Sequence, residues 1–327
     1  MKVGVLGTGN ISSEFMAASQ VAQVEVVGVF NRNYEKARDF ADRYQIPMAY
    51  DDFDTLLQNE DIDTIYVGLP NGLHYDYAKK ALQCGKNVLM EKPFCSTMKE
   101  FDELVVLAKK KDVFLIEMDR VTSLPNFQVL KYRMEQIGKV RAVNMDFCQY
   151  SRKYDAYLAG QKPNVFTTEC SGGALMDLGV YCVNLAVALF GLPSNLVYVA
   201  DKLESGVDVT GNLIMKYPEC IVSIMVGKNS IGDKHTNIQG EAGTLMMDTV
   251  PSVISNIDLV TRNGSERVSE WQQYDGTTYT LFEMKRIIEN NDKEAGALRL
   301  AQSRKVMKVL TTARRSAGIV FEADQKN

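Results

Sequence analysis

The chain has 327 residues, a hydrophobic fraction of 46% and a net charge of -4, with 37 lysines and arginines against 41 aspartates and glutamates. This length corresponds to roughly two domains, and the composition excludes a predominantly disordered chain. The negative net charge, with no basic stripe in the sequence, argues against nucleic acid as a partner.

No segment approaches the 18 or so apolar residues that span a bilayer, and the N-terminal stretch Met1 to Gly7 carries one cation and no long apolar run. We therefore expect a cytoplasmic protein with no membrane partner. The six cysteines are scattered without metal-ligand spacing, as is typical of free thiols in a reducing compartment. Because His74 and His235 are the two histidines of the sequence, we expect no metal site.

Short β-branched runs alternate with amphipathic stretches from Lys2 to about Glu117, which is typical of a parallel sheet with helices on both faces. The predicted strands are Lys2 to Leu6, Val24 to Phe30, Asp63 to Val67, Asn87 to Met90 and Val113 to Ile116. The predicted helices lie near Ile11 to Ala22, Tyr34 to Tyr44, Tyr75 to Cys84 and Thr97 to Lys110. The expected class is α/β, and residues 1–119 are predicted to form a doubly wound Rossmann domain that binds a dinucleotide.

The pattern changes after Arg120. A helix near Asn126 to Ile137, an alternating strand from Lys139 to Tyr150 and a helical stretch from Gly172 to Phe190 come first. The strands predicted next are Leu196 to Ala200, Val207 to Tyr217, Cys220 to Val226, Thr236 to Gly240, Thr244 to Asp248, Ile254 to Thr261 and Val268 to Tyr274. Consecutive strands with short turns favour an antiparallel sheet, so residues 120–327 are predicted to form an α+β domain. It ends in helices at Thr278 to Glu289 and Arg299 to Ser316, and the final helix is a candidate for packing on the first domain.

A glycine-rich turn follows the first strand and opens the first helix, which is the context of a dinucleotide fingerprint. Gly7 permits the tight turn, and Gly9 lets backbone amides approach a pyrophosphate at the positive end of the helix. Ser12 stands where a third glycine usually lies, and it is small enough to allow close packing of the helix on the strand. The cofactor-contacting residues predicted here are Gly7, Thr8, Gly9, Asn10 and Ile11.

The end of the second strand indicates which dinucleotide is bound. An NAD-binding site usually has an acidic residue there for the ribose hydroxyls, whereas a 2'-phosphate favours arginine. In this sequence the strand ends in Asn31 and Arg32. We therefore expect both residues to contact the cofactor, and the sequence favours NADP over NAD. The alternative for Arg32 is an exposed cation at a helix start.

Three further segments carry a family resemblance. The loops Gly68 to Tyr75 and Glu91 to Pro93 follow strands at the carboxyl edge, where open α/β sheets bind ligands. Together with Gly172 to Tyr181, they make the whole chain closely resemble the glucose-fructose oxidoreductase, inositol dehydrogenase and MocA (Gfo/Idh/MocA) family. The resemblance implies an NAD(P)-dependent oxidoreductase whose C-terminal domain has a large open-faced, mainly antiparallel sheet. Because that sheet often mediates oligomerisation in the family, we expect a homodimer or a higher homo-oligomer.

The resemblance also implies roles for individual residues. Lys92 matches the family's catalytic lysine, and Asp177 matches the acid of its Asp-x-x-x-His helix motif. The histidine position is Tyr181 in this chain, which resembles the branch that contains the dimeric dihydrodiol dehydrogenases and NADP-dependent D-xylose dehydrogenases. The cofactor contacts expected from the two loops are Leu69, Pro70, Asn71, His74, Glu91 and Lys92.

The residue chemistry agrees with this assignment. Oxidation of a secondary alcohol needs one positioned acid or base near the nicotinamide. Asp177 and Tyr181 are four residues apart and share one face of a helix. We expect Tyr181 to transfer the proton, Lys92 to favour its phenolate and polarise the substrate oxygen, and Asp177 to orient the substrate or the lysine. Alternatively, Tyr181 is a core tyrosine with a satisfied hydroxyl group, and Asp177 is a polar residue in a helix turn.

The leading hypothesis is an NADP-dependent dehydrogenase or reductase that acts on the CH–OH group of a sugar or vicinal diol, a small polyhydroxylated substrate. The alternative is a catalytically silent NADP-binding sensor or regulator with the same fold. A sensor need not keep Lys92, Asp177 and Tyr181 together, so their presence favours the enzyme.

Overall fold

The computed structural model describes residues 1–325 and divides the chain into two compact units. The first unit contains Met1–Asp119 and Thr277–Ala301, and the second contains Arg120–Gly276 and the chain from Gln302 onward. The chain therefore passes between the units three times. Residues 326 and 327, which the predicted second domain includes, lie outside the described residues.

The elements before Arg120 alternate between strands and helices. The strands are β1 (Lys2–Leu6), β2 (Glu25–Phe30), β3 (Met48–Tyr50), β4 (Thr64–Val67), β5 (Asn87–Met90) and β6 (Leu115–Glu117). The helices are α1 (Asn10–Val21), α2 (Tyr34–Tyr44), α3 (Phe53–Gln58), α4 (His74–Gln83) and α5 (Met98–Lys111), and a 3-10 helix spans Asn71–Leu73.

The later elements are dominated by strands. The strands are β7 (Val140–Cys148), β8 (Asn195–Lys202), β9 (Asp208–Lys216), β10 (Ile221–Gly227), β11 (Thr236–Gly240), β12 (Gly243–Met247), β13 (Ile257–Thr261) and β14 (Gly264–Arg267). The α-helices are α6 (Pro125–Arg133), α7 (Arg152–Leu158), α8 (Val180–Phe190), α9 (Gly276–Glu289) and α10 (Lys293–Ser316). Shorter helical segments are Met134–Ile137, Asn164–Phe166, Leu175–Gly179, which is a π-helix, and Glu322–Asp324.

The first unit contains a parallel sheet in the order β3-β2-β1-β4-β5-β6. The order reverses direction at β1, whose neighbours are β2 and β4, and ligands of such sheets bind at the carboxyl ends of the strands beside this point. The predicted doubly wound Rossmann sheet is confirmed. The sequence patterns missed β3 and α3, which have three and six residues and are too short to show a period.

Helix α9 completes the core of the first unit. Val3 and Phe15 are fully buried in one apolar cluster with Leu281, Met284 and Ile287 of this helix. The predicted division placed residues 277–301 in the second domain. The structure differs because the apolar face of α9 is covered by the core of the first unit.

The second unit contains an eight-stranded sheet in the order β14-β13-β12-β11-β7-β10-β9-β8. All neighbouring pairs are antiparallel except β7 with β10, which confirms the predicted mainly antiparallel sheet. The strand predicted at Val268 to Tyr274 is wrong, because Asn126 holds this segment as a loop. Its amide donates to the Glu270 carbonyl at 2.9 Å and accepts from the Glu270 N–H at 2.8 Å, and Trp271 is 83% exposed.

Across residues 1–325, no helix is both long and apolar enough to cross a membrane. The six cysteines are all free. Within the same range, no cluster of three or more His, Cys, Asp or Glu side chains is arranged to hold a metal ion.

Candidate active site

The conformation of the turn after β1 depends on Gly7. The N–H of Gly7 donates to the Phe30 carbonyl at 2.9 Å, and Gly7 has a φ of +94°, a left-handed conformation that favours glycine. A Cβ atom on Gly7 would lie 2.6 Å from the Gly68 carbonyl oxygen. The turns that follow β1 and β4 therefore approach each other more closely than a side chain at position 7 would allow.

The N-terminus of α1 is open toward solvent. Gly9 caps the helix, Asn10 and Ile11 begin its first turn, and this turn contains no acidic residue. A Cβ atom on Gly9 would meet no atom within 4 Å, so the space above the backbone amides is clear. Such a helix end attracts an anion, and the turn fits the pyrophosphate of a dinucleotide. Ser12 is fully buried beneath the turn.

A cavity of about 570 Å³ adjoins this turn. Its lining residues are Gly7, Thr8, Gly9, Phe30, Asn31, Arg32, Lys36, Asp39, Phe40, Arg43, Gly68, Leu69, Pro70, Leu73 and Tyr77. The structure thus brings together seven of the predicted cofactor residues, from the turns after three neighbouring strands of the sheet: Gly7, Thr8, Gly9, Asn31, Arg32, Leu69 and Pro70.

Three cations line the cavity. Arg32 is joined there by Lys36 and Arg43 of α2, and one carboxylate, Asp39, also lines the cavity. Lys36 and Arg43 were not predicted from the sequence. Their spacing of four and eleven residues from Arg32 places them on one side of the amphipathic helix α2, and this spacing is the signal that could have found them.

Asn31 is engaged inside the turn. Its side-chain amide donates to Thr8 Oγ1 at 2.7 Å, and its Oδ1 accepts from the Asn33 N–H at 3.0 Å. Position 31 is therefore neutral and locked to the glycine-rich turn. An NAD-binding site usually has a carboxylate at this position that accepts from the ribose hydroxyls, whereas this chain has an amide.

His74 connects the two loops that follow β4 and β5. Its ring is fully buried, with Nδ1 3.0 Å from the Pro93 carbonyl oxygen and Nε2 2.8 Å from the Leu69 carbonyl oxygen. Burial lowers the pKa of His74, although both carbonyl contacts act in the opposite direction. His74 does not line the cavity, so its place in the structure is behind Leu69 and Pro70 rather than beside them.

Glu91 also lies behind the loops. Its carboxylate accepts from the Tyr66 hydroxyl at 2.9 Å and from the Lys92 N–H at 3.2 Å, and its side chain is buried. Tyr66 in turn stacks on Phe15 of α1 with ring centroids 3.9 Å apart. Glu91 thus fixes the backbone of half-buried Lys92 from inside the first unit. Asn71, at the start of the short 3-10 helix, is half-buried and does not line the cavity.

The second unit holds Asp177 and Tyr181. The sequence predicts one helix through both residues, but Asp177 lies in the π-helical segment Leu175–Gly179 and Tyr181 lies in the first turn of α8. Gly179 allows this wider turn to approach β10, because a Cβ atom there would lie 3.3 Å from Val226 Cγ1. Tyr181 is largely buried, with its ring 6.0 Å from that of Phe147.

A lysine that the sequence analysis did not consider pairs with Asp177. Lys228 follows β10, and its Nζ donates to Asp177 Oδ2 at 2.6 Å. The side chain of Lys228 is 7% exposed and that of Asp177 is 34% exposed. No local pattern distinguishes Lys228 from other strand-end lysines, so sequence periodicity could not have found it.

A buried carboxylate anchors the start of the π-helical segment. Asp208 Oδ2 accepts from the Leu175 N–H at 2.7 Å and from the Tyr198 hydroxyl at 2.7 Å. Burial raises the pKa of Asp208. A Cβ atom on Gly173 would lie 2.0 Å from Asp208 Oδ1, so only glycine fits at this approach. The backbone that leads to Asp177 is therefore fixed.

Of the three predicted catalytic residues, the structure places Lys92 in the first unit and Asp177 and Tyr181 in the second. Within the second unit, Asp177 and Tyr181 follow each other by four residues along one continuous helical segment. Lys92 follows directly from β5, at the carboxyl edge of the parallel sheet.

Comparisons with known proteins agree with this architecture. Residues 1–118 match the family model described as "Oxidoreductase family, NAD-binding Rossmann fold", and residues 132–246 match the "GFO/IDH/MocA C-terminal domain". The chain is 34% identical to the scyllo-inositol 2-dehydrogenase (NADP(+)) IolU of Bacillus subtilis (strain 168), over 99% of both chains. It is 28% identical to the trans-1,2-dihydrobenzene-1,2-diol dehydrogenase of Xenopus tropicalis, over 98% of this chain and 99% of that protein.

Among solved structures, the fold is similar to that of KijD10, a 3-ketoreductase from Actinomadura kijaniata crystallised with NADP and TDP-benzene. The TM-score is 0.85, the sequence identity is 20%, and 97% of each chain is covered. The family resemblance and the enzyme class expected from the sequence are confirmed. The chain belongs to the GFO/IDH/MocA family of oxidoreductases, with an NAD-binding Rossmann fold.

Proposed function

We propose that the protein is an NADP-dependent oxidoreductase that interconverts a hydroxyl and a carbonyl group on a small, uncharged, polyhydroxylated substrate. The observation that carries the proposal is that Arg32, Lys36 and Arg43 line the cavity beside the glycine-rich turn together with a neutral Asn31. Cations without an opposing carboxylate at position 31 suit a 2'-phosphate. The IolU relative carries NADP(+) in its name, which supports the same cofactor.

Different residues of the first unit would bind different parts of the cofactor. The amides around Gly9 at the start of α1 would hold the pyrophosphate. Arg32 and Lys36 would contact the 2'-phosphate, and Leu69 and Pro70 would form the opposite wall. His74 and Glu91 would hold the loops in place from behind, without touching the cofactor themselves.

Bound NADP supplies a hydride acceptor, and its reduced form a hydride donor, for the carbon that carries the hydroxyl group. Tyr181 would exchange the hydroxyl proton of the substrate, and Lys92 would favour the phenolate form during this exchange. Asp177 would accept a hydrogen bond from the substrate or from Lys92 and so orient it. The relatives named for scyllo-inositol and for dihydrobenzenediol support a cyclic polyol or diol as the substrate class.

The direct test measures NADPH formation by absorbance with scyllo-inositol and other inositols, aldopyranoses and cyclic vicinal diols. We expect turnover with at least one of these, and a loss of about 10²- to 10⁴-fold in kcat for Tyr181→Phe, since a general acid or base contributes that much. Tyr132→Phe is the matched control, because Tyr132 is an exposed tyrosine of α6 in the same unit. Full turnover by Tyr181→Phe would rule out the assigned proton transfer.

The same experiment separates the enzyme from a silent regulator. A regulator of this fold would bind NADPH tightly, as measured by fluorescence titration, and would turn over none of the substrates in either direction. That outcome would replace the proposed activity by cofactor sensing. Turnover that depends on Tyr181 excludes the regulator, because a sensor has no use for a proton donor.

We also propose that the outward face of the eight-stranded sheet binds a second copy of the chain. Val197 of β8 and Ile214 of β9 are paired on this face, and both are exposed. The row continues through Ser223 and Asn144, which carry no charge. Exposed apolar and neutral polar side chains on one face of a sheet are typical of a self-complementary interface.

A further inference from the structure

Lys228 is held in the second unit by its backbone and by its side chain. Its N–H donates to the Val209 carbonyl at 2.8 Å, and its carbonyl accepts from the Ser151 N–H at 2.9 Å, so the residue is fixed between the start of β9 and the start of α7. Its Nζ reaches Asp177 Oδ2 at 2.6 Å. The direction of the side chain is therefore set at both ends.

The burial of Lys228 requires Asp177. Moving an ammonium group out of water is strongly unfavourable unless a carboxylate or other acceptors compensate it. The Lys228 side chain is almost fully covered, whereas Asp177 retains partial contact with solvent. The pair is therefore asymmetric, with its cation inside and its carboxylate at the surface of the second unit. A carboxylate in that position can still accept a hydrogen bond from a ligand.

We propose that Lys228 is a positioning residue for Asp177, an inference that rests on the proposed function. Because Lys228 Nζ occupies Oδ2, it limits the rotation of the Asp177 side chain, so that the carboxylate presents a fixed acceptor to the substrate hydroxyl group. The pair as a whole has no net charge. It therefore suits the hydroxyl group of a neutral polyol rather than a carboxylate or phosphate group of an anionic substrate.

The elements that contact the π-helical segment carry other titratable groups. They are Arg141, Asp146 and Cys148 of β7, Asp208 and Lys216 of β9, and Tyr181 and Cys182 of α8. Burial raises the pKa of the Cys148 thiol to about 11 and also raises that of Cys182, so both remain neutral at physiological pH. Asp208 is directed to the Leu175 N–H and the Tyr198 hydroxyl.

A double-mutant cycle tests the proposal. Lys228→Met is made in the wild-type background and in Asp177→Asn, and kcat, KM for the polyol and Kd for NADP are measured for each variant. We expect Lys228→Met to lower kcat about 10- to 100-fold in the wild type and less than about threefold in Asp177→Asn, because its effect passes through the carboxylate. Kd for NADP should not change, and Lys228→Arg should restore most of the turnover.

Lys153→Met, at an exposed lysine of α7, is the control for loss of one charge in the same unit. Thermal unfolding of the four proteins of the cycle gives a second readout, and the double variant should lose less Tm than the sum of the two single variants. Equal losses of kcat in both backgrounds, or strictly additive losses of Tm, would overturn the proposal. A wild-type protein that turns over no polyol would instead overturn the proposed function, while the Tm cycle would still decide whether Lys228 acts through Asp177.

Discussion

At the scale of single residues, some cations in and beside α2 line the cofactor cavity and others do not. Arg32 and Lys36 line the cavity, whereas Arg38 of α2 is exposed and paired with Asp42 at 3.9 Å. Exposed ion pairs of this kind contribute little to stability. Arg32, Lys36 and Arg38 therefore carry the same charge but differ in whether they line the cavity.

We expect Arg32→Gln and Lys36→Gln each to raise KM for NADP about 10-fold or more, because each removes a charge-assisted hydrogen bond of about 1.5–3 kcal/mol. KM for NAD should change by less than about twofold, since NAD has no 2'-phosphate. Steady-state kinetics with both cofactors measure the effect, with Arg38→Gln as the control. An equal rise of both KM values would show that the cations do not read the 2'-phosphate.

The sequence predicted site residues where the backbone conformation requires a particular amino acid. Gly7 and Gly9 were predicted from the glycine-rich motif, and the cavity contains both. His74 and Glu91 were expected to contact the cofactor. In the structure the His74 ring is within hydrogen-bond distance of the Leu69 and Pro93 carbonyl oxygens, and the Glu91 carboxylate accepts from the Tyr66 hydroxyl of β4. Burial depends on contacts from distant segments, and for this reason a motif places a residue near a site without fixing which way it faces.

At the scale of elements, the π-helical segment is held by a close approach between Gly173 and Asp208. Gly173 has a φ of +114°, and a Cβ atom there would lie 2.0 Å from Asp208 Oδ1. Asp208 also accepts from the first N–H of the segment. The element that carries Asp177 thus starts at a point where side-chain bulk cannot be accommodated.

We expect Gly173→Ala to destabilise the protein by about 3 kcal/mol or more, because it adds a steric clash with a buried carboxylate to the strain of a positive φ. Gly160→Ala isolates the strain, since Gly160 has a φ of +80° and a Cβ atom there would meet nothing within 4 Å. It should cost about 1–2 kcal/mol. Denaturant unfolding compares the two variants, and equal losses would show that the approach to Asp208 is not restrictive.

Long elements with a clear period were predicted, and several short ones were missed. The strands of the parallel sheet with four or more residues and the helices α2 and α5 lie within two residues of their predicted positions. Helices α3 and α7 have six and seven residues, less than the span needed to show an amphipathic period. The π-helical turn was also missed, since it depends on contacts with β9 and β10 rather than on local sequence.

At the scale of the whole molecule, the outward sheet face determines the expected assembly. We expect Ile214→Lys to shift the protein toward monomer, because it replaces an exposed apolar side chain of this face by a charged one. Sedimentation velocity measures the change in mass. Val106→Lys, at an exposed apolar residue of α5, is the control outside the sheet. If the wild type is a monomer at micromolar concentration, or if Ile214→Lys leaves the mass of an oligomer unchanged, this face does not bind a second copy.

The two-part organisation could be predicted because alternating strands and helices give way to successive strands near residue 120. The return of α9 to the first unit could not. An apolar helix face shows that the helix is buried, but it does not identify the core that covers it. Leu281 and Met284 would fit the helix periodicity equally well in either unit.

The placement of α9 has a consequence for synthesis of the chain. A ribosome releases residues 1–119 first, but these lack the Leu281, Met284 and Ile287 side chains that close their apolar cluster. The strands of the second unit, up to Arg267, are all translated before those side chains emerge. Most of the first unit is therefore synthesised before the second unit, but its core is complete only after α9 has been synthesised. Until then the apolar surface that α9 covers in the folded chain stays exposed to water.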